Sequence, residues 1–291
     1  MTASSPCTGV CKLDDATGWC LGCARSGLEI SEWSIGTADW RTAIWSVIPE
    51  RLAQLGVSCR RLPWTPTEIR DFAASSFEHG AGTWVFGVVG AVAEFTPARG
   101  QTVDVAISDA TIEARTKGGA IRMEIDDAVR ALTFDPPTTP VQESRVVLAV
   151  KRERGRLPVA STISDLGEDT APLYAADAGR LFDLGLGRKE ARFCIRVVDE
   201  PTCVELESVS GLPLEKSLPR LGPSLVAASP TRVVETALGR IEVQGAIPRP
   251  DERSPDGPHT HLLPDHLATK RAMPVGMDLP RAYLPGGIFY P

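Results

Sequence analysis

Cys7, Cys11, Cys20 and Cys23 lie within seventeen residues, CTGVCKLDDATGWCLGC, at the spacing C-x3-C-x8-C-x2-C. The 268 residues after Cys23 carry only three more cysteines. Two close pairs joined by a short loop suit tetrahedral thiolate ligation, because folding the loop back brings the pairs together. Gly9, Gly18 and Gly22 stand where a backbone must bend around an ion. Asp14, Asp15 and Thr17 supply turn chemistry. A segment this short cannot build its own apolar core, so a bound metal would supply much of its folding energy. The opening MTASSP has neither a charged nor an apolar leader region, so the sequence reads as cytoplasmic. In a reducing compartment the pattern reads as metal binding rather than disulfides. Four thiolates suit zinc, a mononuclear iron or an iron–sulfur cluster, and ligand chemistry leans to Zn2+.

The histidines form a second cluster. Three of the four stand in PHTHLLPDH, as His259, His261 and His266. On an extended segment His259 and His261 point the same way, so they can chelate one ion, with His266 or Asp265 as a third ligand. The simpler role is to hydrogen-bond the backbone of a Pro-rich loop. Other polar candidates are weaker. Leu184–Lys189, LGLGRK, matches no phosphate-loop pattern and reads as a glycine turn. Cys194 and Cys203 read as buried, unreactive thiols. Glu94, near the end of an apolar run, can act as ligand or base but reads first as a strand-end carboxylate facing water.

These residues need elements to position them. The chain has 291 residues, is 43% hydrophobic and 23% charged, and carries a net charge of −6. That composition suits a globular protein, and with no long basic run the chain lacks the footprint of a nucleic-acid binder. The longest apolar run, Trp84–Phe95, is too short to span a membrane. After the cysteines, Thr37 caps a helix with Trp40, Ile44, Val47 and Ile48 on one face, and Pro49 starts a new turn ended by Gly56. Trp33, Trp40 and Trp45 read as core packed on the cysteine knot. Residues 58–64 form a linker with Cys59, Arg60 and Arg61 exposed or hinge-like. Thr65, Pro66 and Glu68 then spell a capping box.

From Gly80 the period becomes two. Strands are expected over 83–95, 103–107, 112–115, 120–125, 145–151, 192–198 and 241–247, with a hairpin turn at Lys117-Gly118-Gly119. Residues 177–184 and 230–238 read as helical, and 202–206 as strand or short helix. Hairpins mixed with few helices indicate an α+β fold. The expected organisation is a four-cysteine unit at 1–57 and one α+β domain at 65–291.

The segment from SPC to the second helix resembles domain of unknown function 1289, a family of small bacterial proteins usually described as predicted Fe–S proteins. Cys7, Cys11, Cys20, Cys23, Arg25 and Trp33 stand at the matching positions of its SPC-x-x-x-C, C-x-x-C-x-R and Trp-helix pattern. The resemblance covers residues 5–56 and implies a metal or cluster on those cysteines. GRIEVQGAIP at 239–248 and SPDGPHTHLLP at 254–264 resemble a group of uncharacterised bacterial proteins. LFDLGLG at 181–187 and GVVGAVAEF at 87–95 extend the likeness, which implies one recurring domain from about residue 67 and no activity.

Two functions follow. One is a metal-binding protein whose cysteine knot is a structural or redox-sensing module on a domain that binds a small molecule or protein partner. The other is a metal-dependent hydrolase or oxygenase centred on His259 and His261, which requires both imidazoles to converge on one ion.

Overall fold

The computed structural model describes residues 4–154, 157–174, 178–188 and 190–291. Two helices follow the cysteine segment: α1 (Gly27–Ser31) and α2 (Ala38–Gln54). The larger part begins with β1 (Arg60–Arg61) and α3 (Pro66–Glu78). Strands follow: β2 (Thr83–Val88), β3 (Ala91–Phe95), β4 (Asp104–Ile107), β5 (Thr111–Thr116), β6 (Gly119–Glu124), β7 (Val129–Thr133), β8 (Val146–Lys151), β9 (Ser164–Glu168), β10 (Arg180–Asp183) and β11 (Ala191–Val197). Helices α4 (Glu200–Glu207) and α5 (Leu214–Ala228) precede β12 (Thr231–Thr236), β13 (Gly239–Val243), β14 (His259–Leu262), α6 (Pro264–Ala268) and β15 (Tyr283–Tyr290).

The strands make two sheets, ordered β1-β7-β8-β15-β2-β3-β14 and β4-β5-β6-β13-β12-β11-β10-β9. Every pairing in them is antiparallel. The fold is α+β. Alternation explains the layering: in β2, Trp84, Phe86 and Val88 are buried while Thr83, Val85 and Gly87 are half-exposed. Phe86, Ala93 and Leu148 of the first sheet share one core with Ile121, Phe193, Val234 and Ile241 of the second. Helix α3 adds Ile69, Ala73 and Phe77, and α4 and α5 add Leu206, Leu221 and Leu225.

Local signals explain several elements. Thr65 Oγ1 accepts the Glu68 N–H at 3.2 Å and Glu68 Oε2 accepts the Thr65 N–H at 2.7 Å, closing the expected capping box. Thr37 caps α2 as expected, accepting from the Trp40 N–H. The Lys117-Gly118 turn joins β5 to β6 in register, Thr116 facing Gly119.

Other expectations are corrected. Helix α2 runs unbroken through Pro49. Arg61 is buried and Cys59 and Arg60 are half-buried, because β1 pairs with β7. Residues 180–183 are a strand rather than a helix, since Leu181 and Phe182 pair between β9 and β11; Asp177 lies outside the described residues. Residues 231–236 are also strand, at the centre of the second sheet. Of the two readings of 202–206, strand or short helix, the helix is the one formed, capped by Asp199, and it places Cys203 on α4. The turn at 184–188 joins two strands. Gly185 is required there: its φ is +73° and a Cβ would meet the Thr162 nitrogen at 2.5 Å. Lys189 lies outside the described residues.

The second sheet carries a buried ionic network. Arg196 pairs with Glu242 (2.7 Å) and Asp169 (2.8 Å), and Arg240 pairs with Asp169 (3.1 Å). The segment carrying Asp169 and Leu173 lies over it, Leu173 N–H donating to Glu242 Oε1 at 3.1 Å.

Candidate functional site

The cysteine segment folds as two tight turns. Leu13 bridges Cys20, Trp19 bridges Ser26, and Leu21 N–H donates to the Lys12 carbonyl at 2.8 Å. The x8 loop thus doubles back and lays one cysteine pair beside the other. Gly9 (φ +82°), Cys11 (φ +45°) and Ala24 (φ +52°) adopt left-handed conformations that tighten the turns. Backbone amides point at sulfur: Gly9 N–H at Cys7 Sγ (3.3 Å) and Gly22 N–H at Cys20 Sγ (3.4 Å). Arg25 Nε donates to Cys23 Sγ at 3.4 Å.

The thiols interact as two pairs in mutual electrostatic reach. Repulsion from Cys7, a hydrogen bond to Cys7, burial and the charge of Cys20 hold the Cys11 thiol above its usual value. Burial pushes Cys23 up, opposed by Arg25. Burial also acts on Cys20, but N–H groups of Gly22 and Cys23 and a hydrogen bond with the Cys23 side chain outweigh it, so Cys20 is depressed. Cys20 and Cys23 are buried, Cys7 is half-buried and Cys11 is exposed.

The surroundings are cationic. Arg25 and Arg61 are only 4% and 7% exposed, and among the described residues neither has a carboxylate partner. Burial, and then Arg130, hold the Arg61 guanidinium down to about 10, against Tyr283 and Cys7, which raise it. Arg61 donates to the Ser5 carbonyl, and Arg25 lies over the Trp33 ring at 4.6 Å. Buried cations are normally matched by anions. Here the cysteine sulfurs lie beside them, Arg25 Nε donating to Cys23 Sγ. Trp33, Trp40 and Trp45 pack on Ala24, Ile44, Ile48 and Leu52 as the expected core.

The knot rests on the larger domain. Tyr283 of β15 donates its hydroxyl to the Cys7 carbonyl at 3.3 Å, and Gly9 approaches so closely that a Cβ would meet Ala282 Cβ at 2.6 Å.

The histidines are arranged differently. His259 and His261 meet edge to face with ring centroids 4.5 Å apart. His259 Nδ1 accepts the Ser254 N–H at 3.1 Å and contacts Ser254 Oγ at 3.1 Å. Burial, and then the charges of His261 and Arg253, hold it down to about 4. His261 Nε2 lies 3.0 Å from Glu94 Oε1, and Arg253 pairs with the other carboxylate oxygen. His266 stands on α6 and lines the same cleft as Glu94 and Arg253. Sequence reasoning set Glu94 down first as a solvent-facing carboxylate; in the structure it joins β3, β14 and the Arg253 loop. Its alternation with the buried Phe95 marked the face it occupies, while its partners depend on a β3–β14 pairing that no local signal encodes.

Among the described residues, no group of three or more His, Cys, Asp or Glu side chains closes on a single ion position. The donor chemistry at the cysteines nevertheless fits a soft divalent ion: four sulfurs, amides aimed at two of them, and buried guanidiniums to balance a dianionic tetrathiolate. At the histidines, Ser254 engages His259 Nδ1 and Glu94 lies against His261 Nε2, one nitrogen of each ring. No described helix is long and apolar enough to cross a membrane.

Residues 68–291 match a family of unknown function, DUF6925, and residues 5–52 match a protein family of unknown function, DUF1289. The chain therefore belongs to the DUF6925 family and carries an N-terminal DUF1289 segment. No curated protein and no solved structure matches the chain.

Proposed function

We propose that the chain is a metal-binding protein in which Cys7, Cys11, Cys20 and Cys23 hold one ion, and in which the knot serves as a structural or redox-sensing module seated on a ligand- or partner-binding α+β domain. The observation that carries this reading is the electrostatic coupling of two cysteine pairs beside two buried arginines that, among the described residues, have no carboxylate partner. Closing four thiolates on one ion supplies the anion those arginines lack. Cys7 and Cys11 sit toward the surface, where a change of rotamer meets little packing resistance. Zn2+ suits a colourless structural site, and iron or an iron–sulfur cluster suits a redox role.

Titration of the full chain with Co2+ under anaerobic conditions tests the reading. Saturation at one equivalent, with thiolate-to-cobalt charge transfer and the intense visible bands of tetrahedral coordination, is the expected result. Octahedral bands alone, or no thiolate band, would sink it. The reading centred on His259 and His261 has weaker support, because among the described residues no third His, Cys, Asp or Glu joins them around one ion position.

A further inference from the structure

Two adjoining cavities lie on the first sheet. The larger is a cleft of about 490 Å³ between the outward face of β2, β3 and β15 and the segment Leu263–Pro274. Its walls are mainly apolar, including Val85, Val92, Leu263, Met273 and Ile288. The segment over it is pinned at Gly90, whose carbonyl accepts the Leu263 N–H at 2.7 Å and whose missing Cβ leaves room for the Leu267 nitrogen. The smaller cavity, about 310 Å³, shares Ala272, Met273 and Pro285 with the cleft, so the two are neighbours.

The smaller cavity has the opposite chemistry. Arg152, Lys270, Arg271 and Arg281 line it against one acid, Asp278. Among the described residues none of the four cations is in an ion pair with a carboxylate, although Asp and Glu outnumber Lys and Arg by 37 to 31 over the chain. Arg152 donates to the carbonyls of Arg281 (3.0 Å) and Tyr283 (3.4 Å), and Arg271 Nε donates to the carbonyl of Met273 (3.4 Å). Backbone thus holds both guanidiniums in place while leaving donors for a ligand. Four cations against one acid, Asp278, beside a mainly apolar cleft of ligand size that also carries Glu94, Arg253 and His266, match a molecule with an anionic head and an apolar body.

We infer that the paired cavities bind a single-chain amphiphilic anion, with its hydrocarbon body in the cleft over Val85, Val92 and Ile288 and its carboxylate or phosphate head among Arg152, Lys270 and Arg271. The head-group cavity also contains Tyr283, which bonds the Cys7 carbonyl, so it borders the knot. The inference stands whether or not the cysteines hold metal.

Isothermal titration calorimetry on the full chain, below the critical micelle concentrations, tests it. The probes are dodecanoate, dodecyl phosphate, dodecanol and dodecyltrimethylammonium. At least one dodecyl anion should bind at one per chain, tenfold or more tighter than dodecanol, with the cation weakest. The tighter of the two anions identifies the head as carboxylate or phosphate. Lys270→Gln with Arg271→Gln, which changes an exposed and a half-exposed side chain, should weaken the anion about tenfold and leave dodecanol unchanged. Val92→Trp, filling the cleft, should abolish binding of both. No binding of either anion by wild type, equal affinity for anion and dodecanol, or an unchanged anion affinity in the double variant would overturn the inference.

Discussion

The Tyr283 hydroxyl donates to the Cys7 carbonyl at 3.3 Å, across 276 positions of sequence. This bond ties the first cysteine to the start of the last strand. Replacing Tyr283 with Phe keeps the ring and removes the donor. The expected loss is about 1 kcal/mol, the net worth of an intramolecular hydrogen bond. It should appear as faster amide exchange at Gly9 and Cys11 with strands of the sandwich unaffected. Unchanged exchange in the knot would mean that the contact does not hold it.

The network of Arg196, Glu242, Asp169 and Arg240 is buried, with the side chains of Arg196 and Glu242 both fully inaccessible. Glu242→Gln keeps the shape and removes the charge facing Arg196. Breaking a buried pair costs about 3 kcal/mol or more, and Asp169 should hold the loss near the lower figure. Glu124→Gln, at a 59% exposed carboxylate paired with Arg154, should cost less than about 1 kcal/mol. Urea denaturation of the two variants gives the comparison, and equal losses would contradict this account.

The α+β class and the cysteine segment were legible in the chain, while the packing of two sheets over one core was not. Thr65-Pro66-Thr67-Glu68 states its capping box locally, and Lys117-Gly118-Gly119 states its hairpin, because the decisive bonds lie within a few residues. Helix α5 was not anticipated: it contains Pro219 and Pro223, and the burial of Leu214, Leu221 and Leu225 on one face carries the helix past them. Strand β12 was misread because TRVVET has no strict alternation; it is buried on both faces between β11 and β13. Cysteine spacing announced the knot, while Arg61 beside it depends on β1 pairing with β7. The Glu94, His261 and Arg253 cluster depends on register between segments 159 positions apart, which no window of sequence contains.

His259 supplies a pH dependence. Its ring is 5% exposed, and burial together with the charges of His261 and Arg253 lowers it from 6.5 to about 4. Between these values the unfolded chain binds a proton that the folded chain does not, so stability rises with pH across that window. The contribution is fully present above about 6.5 and is lost as pH falls toward 4. The stability difference between wild type and His259→Asn should therefore shrink from pH 7 to pH 4.5. A difference independent of pH would contradict a neutral, buried His259.

The most direct test of the four-thiolate site is the metal content of the full chain purified without oxygen, compared with Cys20→Ser and Cys23→Ser. Cys20 and Cys23 are buried, so serine there would remove two of the proposed ligands where no surface group could replace them. The account predicts one zinc or one iron centre per chain in wild type, lost in both variants. A wild-type chain that retains no metal after reconstitution with Zn2+ or with iron and sulfide, its four thiols all free to react, would contradict it.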